Sequence, residues 1–117
     1  MIPVAEGKCK LKKELLWTNP NPTQSFSSQT IQIDLSPYSE IEIFAIFSDA
    51  NVEGSNTFKA PVGMAINIGF VRSDLYLMQS RIASTTSSGV TFSDATLGQD
   101  RTVYNNHCIP EKIWGIR

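Results

Sequence analysis

The sequence predicts an all-β protein, an antiparallel β-sandwich of jelly-roll-like form, and two observations carry that prediction. The first is alternation: apolar side chains recur at every second position in Ile31–Leu35 and in Met64–Phe70. That spacing is typical of strands that bury one face. The second is punctuation, because turn-forming residues separate the apolar segments at short intervals. About seven to nine short strands with such turns between them indicate a sandwich or a jelly roll.

The front of the chain is predicted to be a basic arm followed by a proline-rich connection. Lysines alternate with Cys9 and Leu11 in the segment 8–12, so residues 1–14 are expected to form a lead-in strand or arm. The whole chain, at 117 residues, is the size of one domain. The remaining residues, 15–117, are therefore expected to form a single sandwich domain. The segment Asn19–Pro22 excludes helix, because each residue before a proline is pushed to extended geometry.

One segment, Ile41–Phe47, is apolar on both faces. It begins by alternating around Glu42 and then continues through Phe44, Ala45 and Ile46 without a polar residue. This pattern predicts either a central strand or a strand whose outer face meets another subunit.

The second half of the chain supplies the remaining strands and loops. Tyr76, Met78 and Ile82 mark one strand, and further strands are predicted at Val90–Phe92, Thr102–Tyr104 and Lys112–Ile116. In the last strand Trp114 alternates with Ile116, so we expect Trp114 to be buried. Three segments are predicted to be loops: Asn51–Thr57, Ser84–Gly89 and Leu97–Asp100.

The composition argues against two classes of partner. The formal net charge is −1, so no global basic field attracts nucleic acid. No apolar run approaches the ~18 residues that span a bilayer, and the first residues lack the layout of a signal peptide. We expect a soluble protein folded in a reducing cytoplasm. Cys9 and Cys108 are interpreted as small buried hydrophobes, although a bridge joining the two ends is geometrically conceivable.

The sequence offers no convincing catalytic set. The one histidine is His107, and a dyad with Cys108 is sterically poor because adjacent strand residues point to opposite faces. Glycosidic cleavage needs two carboxyl groups ~5–10 Å apart, and eleven acidic residues produce such pairs by coincidence. We therefore predict a protein that is not an enzyme and uses no cofactor. The coincidental pairs are Asp94 with Asp100 and Glu40 with Glu42.

The segment Asp49–Gly54 resembles the opening of a calcium loop. Asp49, Asn51 and Glu53 supply oxygen ligands at positions one, three and five, and a glycine follows at position six. The twelfth position is Ala60, where a bidentate carboxylate belongs. We therefore expect an ordinary polar turn with no metal.

Four ordered patches of the sequence carry a resemblance to a known family: Leu16–Pro22, Phe26, Gln29–Ser36 and Asn105–Arg117. Together they resemble a small domain found at the C-terminal ends of tail, baseplate and fibre (receptor-binding) proteins of phages and prophages of Gram-positive bacteria. The resemblance spans residues 15–117 and includes no catalytic signature.

The resemblance implies a homotrimer at the tip of a fibre or tail, in a virion made in the bacterial host cytoplasm. Its partners would be other virion tail or fibre proteins and a polysaccharide of the host surface, to which it attaches without catalysis. One alternative is a purely structural fibre-tip, trimerisation or capsid-decoration domain. Another is a polysaccharide depolymerase, against which the lack of an acid/base pair counts.

Two polar loops are candidates for the receptor surface, since loops carry function on rigid β scaffolds. The Asn51–Thr57 loop is one of them. The other combines a ring that can stack on a sugar with amides that donate and accept hydrogen bonds. It consists of Tyr104, Asn105, Asn106 and His107.

Overall fold

The computed structural model of the chain describes residues 12–49, 52–72, 77–98 and 101–117, with the backbone alone at 48–49, 52–54, 71–72 and 77. Every regular element within these ranges is a strand, and no helix there is long and apolar enough to cross a membrane. The strands are β1 Lys13–Thr18, β2 Gln29–Gln32, β3 Glu40–Asp49, β4 Val52–Pro61, β5 Ala65–Arg72, β6 Leu77–Thr86, β7 Gly89–Phe92, β8 Thr96–Leu97, β9 Thr102–Val103 and β10 Ile109–Ile116.

The strands form two antiparallel sheets. The first sheet has the order β1-β10-β3-β4. The second has the order β2-β7-β6-β8-β9, and β5 also pairs with β6. The first described strand therefore lies beside the last strand of the chain, with Leu15 opposite Trp114.

The core lies between the two sheets and confirms the all-β sandwich. Ile43 of β3 and Ile113 of β10 are directly paired and fully buried. Ile68 of β5 and Phe92 of β7, also fully buried, belong to the same cluster from the second sheet. The alternation seen in the sequence thus sets the inward face of these strands. Leu35 is fully buried too, although β2 ends at Gln32.

The β6 strand buries its polar face, whereas two of the apolar residues that predict this strand face solvent. Met78 and Ile82 are 53% and 50% exposed, whereas Gln79 and Arg81 are almost completely buried. Register with β5 sets this orientation, because Arg81 lies opposite Ile68, a residue of the core. The Arg81 guanidinium is tolerated inside the protein because it donates hydrogen bonds to three backbone carbonyls.

Two of the predicted loops are wrong in extent. Most of the Asn51–Thr57 segment belongs to β4, which pairs with β3 from Val52 opposite Asp49 to Pro61 opposite Glu40. A polar segment forms this edge strand because its backbone hydrogen-bonds to β3, whatever its side chains. The Ser84–Gly89 prediction is also too long, since β6 continues to Thr86 and β7 begins at Gly89.

Trp114 is not a core residue, which corrects the expectation from alternation with Ile116. It pairs with Glu42 of β3, one residue along from the inward pair Ile43–Ile113, so it lies on the outer face of the first sheet. Its ring is partly buried, with the Lys13 ammonium 4.6 Å from the ring centroid. Glu42 in turn forms an ion pair with Lys13.

Candidate ligand-binding site

The predicted Tyr104–His107 segment is a turn in which some side chains face solvent and others hold the turn in place. The His107 N–H donates to the Tyr104 carbonyl at 3.2 Å, which closes the turn just before β10. Tyr104 is 45% exposed, and its ring lies 5.8 Å from the His107 ring between centroids. Asn106 is exposed as well. Tyr104 and Asn106 are therefore the members of the predicted set that face solvent most.

Asn105 has a structural role instead. Its Oδ1 accepts from the Ala95 N–H at 2.8 Å, and its Nδ2 donates to Asp94 Oδ1 at 2.9 Å. Its carbonyl oxygen accepts from the Phe26 N–H at 2.9 Å. Asn105 thus ties the turn to two other segments of the chain, and it orients the turn rather than offering its amide to a ligand.

The base of the turn is held by Arg81, a residue from the centre of β6. Its Nε donates to the Cys108 carbonyl at 3.0 Å, and its terminal nitrogens donate to the carbonyls of His107 at 3.2 Å and Ser93 at 2.7 Å. Burial lowers the pKa of Arg81 to about 10, so it remains a cation at neutral pH. Phe26 lies below the guanidinium, with 5.1 Å between the ring centroid and Cζ.

Cys108 follows the turn in a left-handed backbone conformation, with φ of 50°. This region is uncommon for residues other than glycine and is maintained by the surrounding structure. The hydrogen bonds of Arg81 to the carbonyls of His107 and Cys108 provide that restraint. Burial also raises the pKa of the Cys108 thiol to about 12, so the thiolate of the Cys108–His107 dyad considered above is disfavoured.

Asp94 joins the turn to the second sheet. Its Oδ1 accepts from the Ser28 N–H and from Asn105 Nδ2, each at 2.9 Å. The Ser28 backbone bond first, and the Asn105 amide next, lower the pKa of this carboxyl below its usual 3.8. A general acid needs the opposite shift, so Asp94 is a poor acid for glycosidic cleavage. Asp100 lies outside the described residues.

A cleft of about 320 Å³ lies beside this network on the second sheet. Arg81 and Asp94 contribute to its wall, so the cleft and the turn share their supporting residues. Exposed Met78 and Ile82 supply apolar surface, and Arg101 carries a positive charge at the cleft. The neutral polar groups are those of Asn67, Ser80, Ser93 and Thr96. A mixture of hydroxyl, amide and apolar surface suits a polyhydroxylated ligand.

The candidate metal-ligating segment 49–53 falls largely on positions that the structure does not describe. Asn51 lies outside the described residues, as do the side chains of Asp49 and Glu53. Within the described part of the chain, no group of three or more potential metal ligands lies close together. Glu42, from the acidic pair with Glu40, is engaged with Lys13 on the first sheet.

Sequence reasoning missed Arg81 and the cleft, and it noted Asp94 only as a coincidental carboxyl group. These residues come from separate elements that only the fold brings together. A usable signal was present at Arg81, a charged residue within a predicted strand. Such a residue is either exposed or buried with several hydrogen-bond acceptors. In the second case it holds the segments that supply those acceptors. Comparison of the chain with protein-family models, with curated proteins and with solved structures found no match.

Proposed function

We propose that this chain is a non-catalytic attachment module of a phage virion, which binds a polysaccharide on the surface of a Gram-positive host. The observation that carries the proposal is the rigidly held Tyr104–His107 turn beside the polar cleft of the second sheet. Arg81, Asp94 and Asn105 fix the turn in place without a ligand. A site organised in advance loses less conformational entropy on binding.

The chemistry of the surface favours a sugar. Tyr104 is 45% exposed and offers an aromatic ring. Asn106 is also exposed and offers an amide that both donates and accepts hydrogen bonds. The hydroxyl groups of the cleft have the same two-way capacity. Each contact is individually weak, and repetition of the site on one particle raises the overall avidity.

A homotrimer of jelly-roll-like subunits would supply that repetition, and the outer face of the first sheet favours self-association. Phe44 and Trp114 are only partly buried there, and Leu15, opposite Trp114, is 53% exposed. Lys13 and Glu42, which carry opposite charges, lie on the same face beside this apolar patch. Closed symmetry covers such a face without open-ended assembly.

The virion setting comes from the family resemblance of residues 15–117. On that basis the module is made in the host cytoplasm and joins other tail or fibre proteins. A second candidate function, a purely structural fibre-tip or decoration domain, is favoured by the same apolar face of the first sheet. A depolymerase is a third candidate, and Asp94, whose lowered pKa keeps it ionised, does not supply the general acid that such cleavage requires.

Binding of the purified, fluorescently labelled protein to intact Gram-positive cells tests the proposal. Cells stripped of surface polysaccharide serve as the control. We expect binding to native cells that is lost on stripping and is reduced by Tyr104→Ala and by Asn106→Ala at unchanged melting temperature. Equal binding to stripped and native cells would overturn the proposal, and undiminished binding by both variants would move the site elsewhere.

A further inference from the structure

A second cleft, of about 260 Å³, is formed by the proline-rich connection between β1 and β2. Trp17 from the end of β1 contributes an aromatic ring, which is partly buried. The side chains around it include the amides of Asn21, Gln24 and Gln29 and the hydroxyl of Ser25, all from exposed residues. This cleft shares no lining residue with the cleft beside the Tyr104 turn.

The segment that forms the cleft is fixed to the last strand. Asn19 is 6% exposed, its Nδ2 donates to the Pro110 carbonyl at 2.9 Å, and its N–H donates to the Glu111 carbonyl at 2.8 Å. Its Oδ1 accepts from the Asn21 N–H at 2.8 Å, which orders the backbone of the next turn. Pro20 and Pro22 restrict φ further. The cleft is therefore already formed in the protein without a ligand.

The aromatic wall is equally well supported. The ring of Trp17 meets the ring of Phe26 edge to face, at 6.1 Å between centroids. Phe26 is 6% exposed and makes a second edge contact with Phe92 at 5.3 Å. Phe26 is thus a rigid support that holds the Trp17 indole at the cleft.

The lining selects for an uncharged ligand, because it contains no ionisable side chain. A charged group entering the cleft would lose hydration without gaining an ion pair. A sugar ring presents apolar C–H faces to an indole and hydroxyl groups to amides, and both are provided here. The volume lies below the ~300 Å³ at which sites for drug-sized ligands begin, which suits a single ring.

We propose that the Trp17 cleft binds one neutral pyranose ring, as a second sugar site separate from the Tyr104 turn. This inference deepens the proposed function and rests on it for the class of ligand. The two sites back onto a common support, because Phe26 contacts Trp17 and also donates its N–H to Asn105. One polysaccharide chain or two could then engage both sites on each subunit.

The test uses the intrinsic fluorescence of Trp17. The chain has two tryptophans, so Trp114→Phe leaves Trp17 as the sole indole emitter. Titration with a panel of neutral methyl pyranosides, and with a uronic acid as the charged counterpart, is followed by emission. We expect a saturable change with at least one neutral glycoside in the millimolar range and a weaker response to the acid.

Variants locate the binding. In the Trp114→Phe background, Gln24→Ala and Gln29→Ala should each weaken binding about fivefold to tenfold, the effect of one lost hydrogen bond. Gln32→Ala is the matched control, since it removes an exposed amide of β2 that lies outside the cleft. No response to any neutral glycoside, or equal weakening by Gln32→Ala, would overturn the inference.

The Tyr104→Ala variant separates this inference from the proposed function. A Trp17 response that survives Tyr104→Ala supports an independent sugar site. A response abolished by Tyr104→Ala at unchanged melting temperature would show that the emission reports the other site, which would overturn the inference and leave the proposed function standing.

Discussion

Arg81 Nε donates a hydrogen bond of 3.0 Å to the carbonyl oxygen of Cys108, across 27 positions of sequence. This bond connects the centre of the second sheet to the residue that adopts a left-handed backbone just before β10. The same guanidinium holds the carbonyls of His107 and Ser93. This buried cation therefore helps to hold the turn from which the exposed Tyr104 and Asn106 side chains are presented.

Replacement of Arg81 by leucine should destabilise the domain strongly. Arg81→Leu leaves the carbonyls of Ser93, His107 and Cys108 without these donors, and we expect a loss of about 3 kcal/mol or more in the free energy of unfolding. Arg117→Leu is the matched control, because Arg117 pairs with Glu14 at the surface and should change stability little. Urea denaturation measures both, and similar midpoints for the two variants would contradict this role of Arg81.

The two neighbouring asparagines of the turn should behave differently. Asn105→Ala removes the hydrogen bonds to Ala95 and Asp94, so we expect a loss of about 1–2 kcal/mol in unfolding free energy. Asn106→Ala changes an exposed side chain and should leave the melting temperature almost unchanged while it reduces cell binding. Calorimetry distinguishes them, and equal melting temperatures would show that Asn105 does not anchor the turn.

Asp94 should contribute stability that depends on pH. Its folded-state pKa lies below the usual 3.8, so the ionised form is favoured in the folded protein. The contribution is present at pH values above 3.8 and is lost as the pH falls through the lowered folded-state pKa. The melting-temperature difference between the native protein and Asp94→Asn should accordingly be larger at pH 7 than at about pH 2. A difference that persists unchanged in acid would contradict the assigned ionisation.

The outer face of the first sheet should control self-association. Leu15→Glu places a charge opposite Trp114 and should shift a trimer towards the monomer in light scattering. Met64→Glu is the control, since Met64 is similarly exposed, at 59% against 53%, but lies in the connection between β4 and β5. A native protein that is monomeric at micromolar concentration would contradict the proposed trimer.

The sequence predicts well where apolar alternation coincides with burial, as at Ile41, Ile43 and Ile68. It fails on β6, because Met78 and Ile82 are exposed while Arg81 takes the inward position. Alternation identifies the two faces of a strand, but contacts distant in sequence decide which face is buried. The candidate site likewise has features that follow from local sequence and others that depend on contacts distant in sequence.

The exposure of Tyr104 and Asn106 was predictable from residue type and from their position in a turn before the last strand. The role of Asn105 was not, since it depends on Asp94 and Ala95, which are ten or eleven positions away. The polar cleft was equally hidden, because its hydroxyl and amide groups come from strands that only the sheet pairing brings together.

We propose that the turn and the adjacent cleft bind a surface glycan. Titration of ¹⁵N-labelled protein with purified wall polysaccharide from a Gram-positive host, followed by amide chemical shifts, tests that claim most directly. We expect shifts at Tyr104, Asn106 and the neighbouring Ser80 and Thr96, accompanied by shifts at the Trp17 cleft where the glycan also engages that site, and none on the outer face of the first sheet. Absence of any shift, or shifts confined to that outer face, would contradict it.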